Sequence, residues 1–97
     1  KLHLSSNAER GLAGILDYVE HRFDTPTALK VLNRIESAFP LLMQNPSLGH
    51  RRDDICLEEG VLFWPIGPSL LAYRVKGDRL EILAIERASR DWSSIFD

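Results

Sequence analysis

The chain has 97 residues, 44% of them hydrophobic and 27% charged, with a formal net charge of −2 and a pI near 5.9. This length and balance fit one globular domain over residues 1–97. They exclude a strongly basic nucleic-acid binder, for which a domain pI above about 9 is expected, and no apolar run approaches the ~20 residues of a membrane span.

Leu2-His3-Leu4 alternates and reads as an edge strand, stopped by Ser5-Ser6-Asn7. Ser6 and Glu9 stand at capping-box spacing, and Leu12, Ile15, Leu16, Val19 and Phe23 recur at helical intervals. Together they predict a helix over 6–22. Asp24-Thr25-Pro26 breaks it; Thr25 suits the cap of a second helix and Pro26 its first position, where no N–H is needed. Ala28, Leu32, Ile35, Phe39 and Leu42 then trace an apolar face that ends at Asn45-Pro46. A kink or restart is expected at Pro40, whose ring clashes with the carbonyl of Glu36. So short a break between the helices makes them an antiparallel hairpin.

Residues 46–59 form a polar connector of a length that usually serves a purpose. Three apolar runs follow, over 61–66, 70–75 and 80–85, joined by Gly67-Pro68 and Gly77-Asp78, as in an antiparallel meander. Pro65 cannot donate to a ladder and belongs at a bulge or on an open side. The order strand, helix, helix, three strands predicts an α+β two-layer sandwich with the helical hairpin on one sheet face.

Strict alternation puts Leu80, Ile82 and Ala84 on one face and Leu83 and Ile85 on the other, with Leu71, Tyr73 and Val75 opposing Leu70 and Ala72. Both faces are then apolar, while two helices cover one. The side carrying Leu70, Ala72, Leu83 and Ile85 is expected to be covered by a partner, with Trp92, Ile95 and Phe96 of the tail supplying part of the cover. The alternative is that the tail alone closes it.

His3, His21 and His50 are scattered, Cys56 is the single cysteine, and no GxSxG elbow, P-loop or GxGxxG occurs. No catalytic residue, metal site or cofactor is therefore expected. One cysteine permits no internal disulfide, and no stretch has the make-up of a signal peptide, so the expected location is the cytoplasm. What remains is a set of arginines: Arg74 after Tyr73, and Arg87 and Arg90 after the last strand. Guanidinium forks suit phosphate or carboxylate partners, and Arg74 suits equally well a neighbouring acid such as Glu81 or Glu86.

Taken in order, several segments resemble the ParE branch of the ParE/RelE toxin superfamily of type II toxin–antitoxin modules, which includes plasmid stabilisation proteins. They are Ala8 with Leu12, Ile15 and Tyr18, the second helix, the 45–52 connector, Ala72-Tyr73-Arg74-Val75, the 80–85 strand and Arg87-Ala88-Ser89-Arg90-Asp91-Trp92. The resemblance covers essentially the whole chain and implies the RelE/ParE toxin-like fold. It also implies a toxin silenced by a tightly bound cognate antitoxin, whose partly disordered segment folds onto it.

RelE-like members cut mRNA on the ribosome and need an acid/base group near the C-terminus. Here the tail holds neither histidine nor tyrosine; Trp92 stands about where a tyrosine would, and indole transfers no proton. The ParE branch lacks that catalytic set and poisons DNA gyrase. One departure is Glu86, where ParE-like tails often carry histidine. The resemblance thus implies inhibition of DNA gyrase by protein–protein contact, with no direct specific nucleic-acid binding. Arg74, Arg87, Arg90, Asp91 and Trp92 are the candidate target contacts, and Leu70, Ala72, Leu83 and Ile85 the candidate antitoxin contacts. The alternative is a ribosome-dependent mRNA endonuclease using arginines and Tyr73.

Overall fold

Residues 1–96 are described by a computed structural model. Strand β1 (Leu2–Leu4) leads into helix α1 (Ser6–Arg22), and the cap is Ser5 rather than Ser6. Ser5 Oγ accepts the N–H of Ala8 at 3.0 Å and donates to the carbonyl of Leu83 at 2.8 Å, so one side chain serves both the helix start and the sheet. Ala8, Gly11 and Ile15 are buried along the inner seam, with Leu12 and Val19 packed beside it. Phe23 leaves that seam and is 65% exposed, because it follows the last helical residue and its backbone is no longer helical.

Asp24, not Thr25, caps helix α2 (Thr25–Glu36), its Oδ1 accepting the Thr27 N–H at 2.8 Å. Thr25 and Pro26 fill the first turn, where a missing N–H costs nothing. The helix breaks at Ser37 and restarts as α3 (Ala38–Gln44), as expected for Pro40, which has no N–H for the Glu36 carbonyl.

Strands β2 (Leu62–Ile66), β3 (Ser69–Lys76) and β4 (Arg79–Arg87) form the meander, and β1 joins β4 in parallel, giving the order β1-β4-β3-β2. The result is the expected α+β sandwich with the helices on one face. Pro65 has the same parity as Phe63, whose N–H points away from β3 to the carbonyl of His50 at 2.8 Å, so the missing donor falls on the sheet's outer edge.

The facial assignment of β4 differs from strict alternation. Ala72 opposes Ala84 and Tyr73 opposes Ile82, which leaves Leu83 as an extra, unopposed residue. A one-residue bulge exchanges the faces beyond it. Leu80 and Ile82 face the helices, Ala84 turns to the other side, and Ile85 returns to the helix-side core, fully buried. Ile85 is therefore corrected from the second face to the first. The bulge is tied down by Ser5, whose N–H donates to Ile82 O at 3.0 Å beside the Oγ bond to Leu83 O.

The second face does carry Leu70, Ala72 and Leu83, but the chain itself covers it. Trp92, Ile95 and Phe96 of the tail pack there with Ile55 and Cys56 of the connector, and Leu70 and Ala72 are buried. Trp92 and Phe96 each meet Phe63 edge-on, at 5.9 and 6.0 Å between ring centroids, a favoured aromatic geometry. The bare apolar face read from the sequence is thus corrected to a second small core.

The connector owes its position to Tyr73. That hydroxyl donates to the Pro46 carbonyl at 2.6 Å and accepts the Gly49 N–H at 2.9 Å, while the residue is wholly buried. Beyond it His50 pairs with Phe63, and Arg51 donates to the Glu58 carbonyl at 2.6 Å. Among the described residues, no helix is long and apolar enough to cross a membrane.

Candidate functional site

The residues singled out as contacts separate into three groups. Arg74 lies on the face away from the helices, where Nε donates to Glu81 at 2.8 Å and Nη1 to Glu58 at 2.7 Å. The hydrogen bond between Arg74 and Glu81 raises the guanidinium pKa above its usual range and lowers that of the Glu81 carboxyl. Arg74 therefore has the neighbouring-acid role, and one of its two acids comes from the connector.

Trp92 is interior. It is 4% exposed, and its Nε1 donates to the Arg87 carbonyl at 3.1 Å, so it anchors the tail and offers no face to a partner. Leu70, Ala72 and Ile85 are likewise enclosed by the chain, and Leu83 is partly so. Tyr73 is spent on Pro46 and Gly49, and burial raises the pKa of its phenol.

Arg87, Arg90 and Asp91 remain at the surface, where β4 runs out beneath α1. The close approach of strand and helix requires Gly11: a Cβ there would lie 2.0 Å from the Ile85 carbonyl oxygen and 2.7 Å from Glu86 Oε2. One turn later Gly14 faces open space. A groove follows between α1 and the segment after β4.

Within it the Arg87 guanidinium lies over the Tyr18 ring, 4.5 Å from the centroid, a cation–π arrangement worth about 0.5–1 kcal/mol at an exposed site. Arg90 pairs with Glu86 at 3.0 Å, and the Glu86 side chain is 16% exposed. Arg10 bonds to Asn7 at one end. Arg34 closes the other end against the left-handed turn at Gly67, φ +57°, with its guanidinium 2.7 Å from where a Cβ would stand. Asp91 stands outside, accepting Ser93 Oγ at 2.6 Å and shaping the tail.

The groove consists of three joined hollows of 310, 400 and 240 Å³. The middle one shares Gly14, Glu86 and Arg90 with the first, and Ile15, Tyr18 and Arg87 with the third. The third is mainly apolar, lined by Val19, Val31, Ile35 and Ile66 among others. Among the described residues, Arg10, Arg34, Arg87 and Arg90 share the groove lining with one carboxylate, Glu86, in a chain that is negative as a whole. The lining offers anion-binding forks and an apolar seat.

Sequence reading assigned no role in a site to Arg10, Arg34 or Glu86, and used Tyr18 only as a mark of resemblance. The available signal was a pair of glycines inside a helix, each costing about 1 kcal/mol relative to alanine, which points to a close approach.

The sequence matches the family model described as ParE toxin of type II toxin-antitoxin system, parDE, over residues 2–92. Among solved structures the chain is similar to one from the chromosomal ParDE TA system of P. aeruginosa. The two are 27% identical with a TM-score of 0.75, over 90% of this chain and 94% of that one. No curated protein matches the sequence.

Proposed function

This chain belongs to the ParE toxin family of type II toxin–antitoxin systems, and we propose that it acts in the cytoplasm by inhibiting DNA gyrase through protein–protein contact and is silenced by a cognate antitoxin. Contact rather than cleavage is supported above all by the state of Tyr73. A ribonuclease of the superfamily needs a proton-transferring group within reach of the 2′-hydroxyl. The Tyr73 hydroxyl instead holds the connector from a buried position, with a raised pKa that opposes ionisation. The target surface consists of Arg87 and Arg90 with Asp91 beside them, arginine being a usual interface anchor. Trp92 contributes from beneath, by fixing the Arg87 backbone.

Supercoiling by purified gyrase tests this reading. Added chain is expected to inhibit it, with Arg87→Ala weakening inhibition by about tenfold, the value of one lost charged contact. Full gyrase activity at a large excess of the chain overturns the target. Primer extension on cellular mRNA after induction is expected to show no codon-phased cuts; their appearance would establish the endonuclease instead.

A further inference from the structure

The arginines of this chain are not paired alike. Among the described residues, Arg51, Arg52, Arg74, Arg79 and Arg90 each meet a carboxylate. Of the four without one among the described residues, Arg10, Arg34 and Arg87 line the groove beside α1, and Arg22 lies outside it at the end of that helix. Arg10 has a neutral amide, Arg87 the face of a ring, and Arg34 rests against the Gly67 turn. Guanidinium donors left to solvent on both sides of an apolar hollow are the complement of a ligand with acids beside an apolar group.

We propose that this groove binds an extended peptide segment in which an aliphatic residue is flanked by carboxylates. The aliphatic side chain enters the 240 Å³ hollow between α1 and α2, lined by Ile15, Val31 and Ile35. One carboxylate meets Arg34 and Arg87 at the rim of that hollow, and a second meets Arg10 at the far end. Between them Glu86 already occupies Arg90, which leaves no free guanidinium over Gly14, so that position takes a non-acidic residue. From Asn7 to Val19 the helix rises about 18 Å, the length of about five or six extended residues.

A nucleic-acid strand fits less well, since its backbone has no group for the apolar hollow and the chain's net charge of −2 opposes a polyanion. Within the toxin–antitoxin reading such a segment belongs to the antitoxin, but the chemistry of the groove stands apart from the identity of the target.

The test is selection of a displayed random hexapeptide library on the purified full chain. Enriched peptides are expected to carry two acids separated by an aliphatic and a non-acidic residue, and to bind about tenfold more weakly for each arginine reversed, in Arg10→Glu, Arg34→Glu or Arg87→Glu. Arg10 and Arg34 are exposed, so those variants should keep the parent melting temperature, which is measured alongside.

No enrichment over an unrelated protein, enrichment of basic or wholly neutral peptides, or acidic peptides that persist through all three reversals would each overturn the proposal. Displacement of selected peptides by a single-stranded DNA 12-mer that itself binds more tightly would also overturn it, by assigning the arginines to phosphate. The outcome is independent of gyrase: a chain inert in the supercoiling assay can still select acidic peptides, and one that inhibits gyrase can fail to.

Discussion

Replacing Gly11 by alanine sets two effects against each other, and the distances decide between them. Alanine in a helix interior gains about 1 kcal/mol over glycine. At Gly11, however, the new Cβ would lie 2.0 Å from the backbone oxygen of Ile85 and 2.7 Å from Glu86 Oε2. Restoring an ordinary contact of 3.4 Å to that oxygen means moving α1 off β4 by about 1.4 Å. The backbone oxygen of Ile85, a fully buried residue hydrogen-bonded into the sheet, cannot swing aside as a flexible side chain would. A gap of 0.5–1 Å already forfeits roughly a quarter to a half of a dispersion contact, and overpacking a core costs about 1–3 kcal/mol, with this site at the upper end. The net expectation is a loss of about 2 kcal/mol, or roughly 10 °C in Tm for a domain of this size. Gly14→Ala, three positions on, meets nothing within 4 Å and should gain about 0.5–1 kcal/mol. Urea denaturation of both variants, read as the shift in midpoint at constant slope, gives the comparison. A Gly11→Ala protein as stable as its parent would refute the reasoning, and so would two variants that move in the same direction.

Tyr73→Phe removes a hydroxyl that serves Pro46 and Gly49, and should cost about 1–3 kcal/mol in denaturant melts while leaving growth arrest on expression intact. Loss of arrest in a folded Tyr73→Phe protein would favour a chemical role. Trp92→Ala empties the centre of the second core and should cost about 3–5 kcal/mol by thermal melting, where a surface residue would cost almost nothing. Acid stability carries the signature of Arg74 and Glu81. Because the folded pKa of Glu81 lies below its ordinary value of 4.5, the unfolded chain binds more protons in that window. Its contribution is present above pH 4.5 and is lost as pH falls through the folded pKa. Glu81→Gln should therefore flatten this part of the acid limb, and an unchanged acid limb would count against the pair.

The bulge at Leu83 explains why reading the strands by parity misplaced Ile85. Alternation holds only while register is kept, and the extra residue in β4 is specified by its pairing with β3 and by Ser5 reaching over from the start of α1. Cover of the second face was hard to read for a related reason. Ile55 and Cys56 sit in a polar stretch with no period, and only the anchoring of that stretch by Tyr73 and its pairing at His50 bring them onto the sheet. The contact residues divided in the same way: Arg87 and Arg90 were visible in the tail, whereas Arg10, Tyr18 and Arg34 join them only across the helix layer.

The sequence by itself determined the order of elements, the buried seam of Ala28, Ile35 and Leu42, the break near Pro40 and the ParE resemblance. Each depends on local period, on the stereochemistry of one residue, or on the succession of short motifs. The tertiary structure alone decided which face Ile85 occupies, that Trp92 is a foundation rather than a contact, and which arginines, among the described residues, are left without acids. Those outcomes turn on pairing between distant segments, where one inserted residue exchanges the faces of a strand and one nearby carboxylate satisfies a guanidinium.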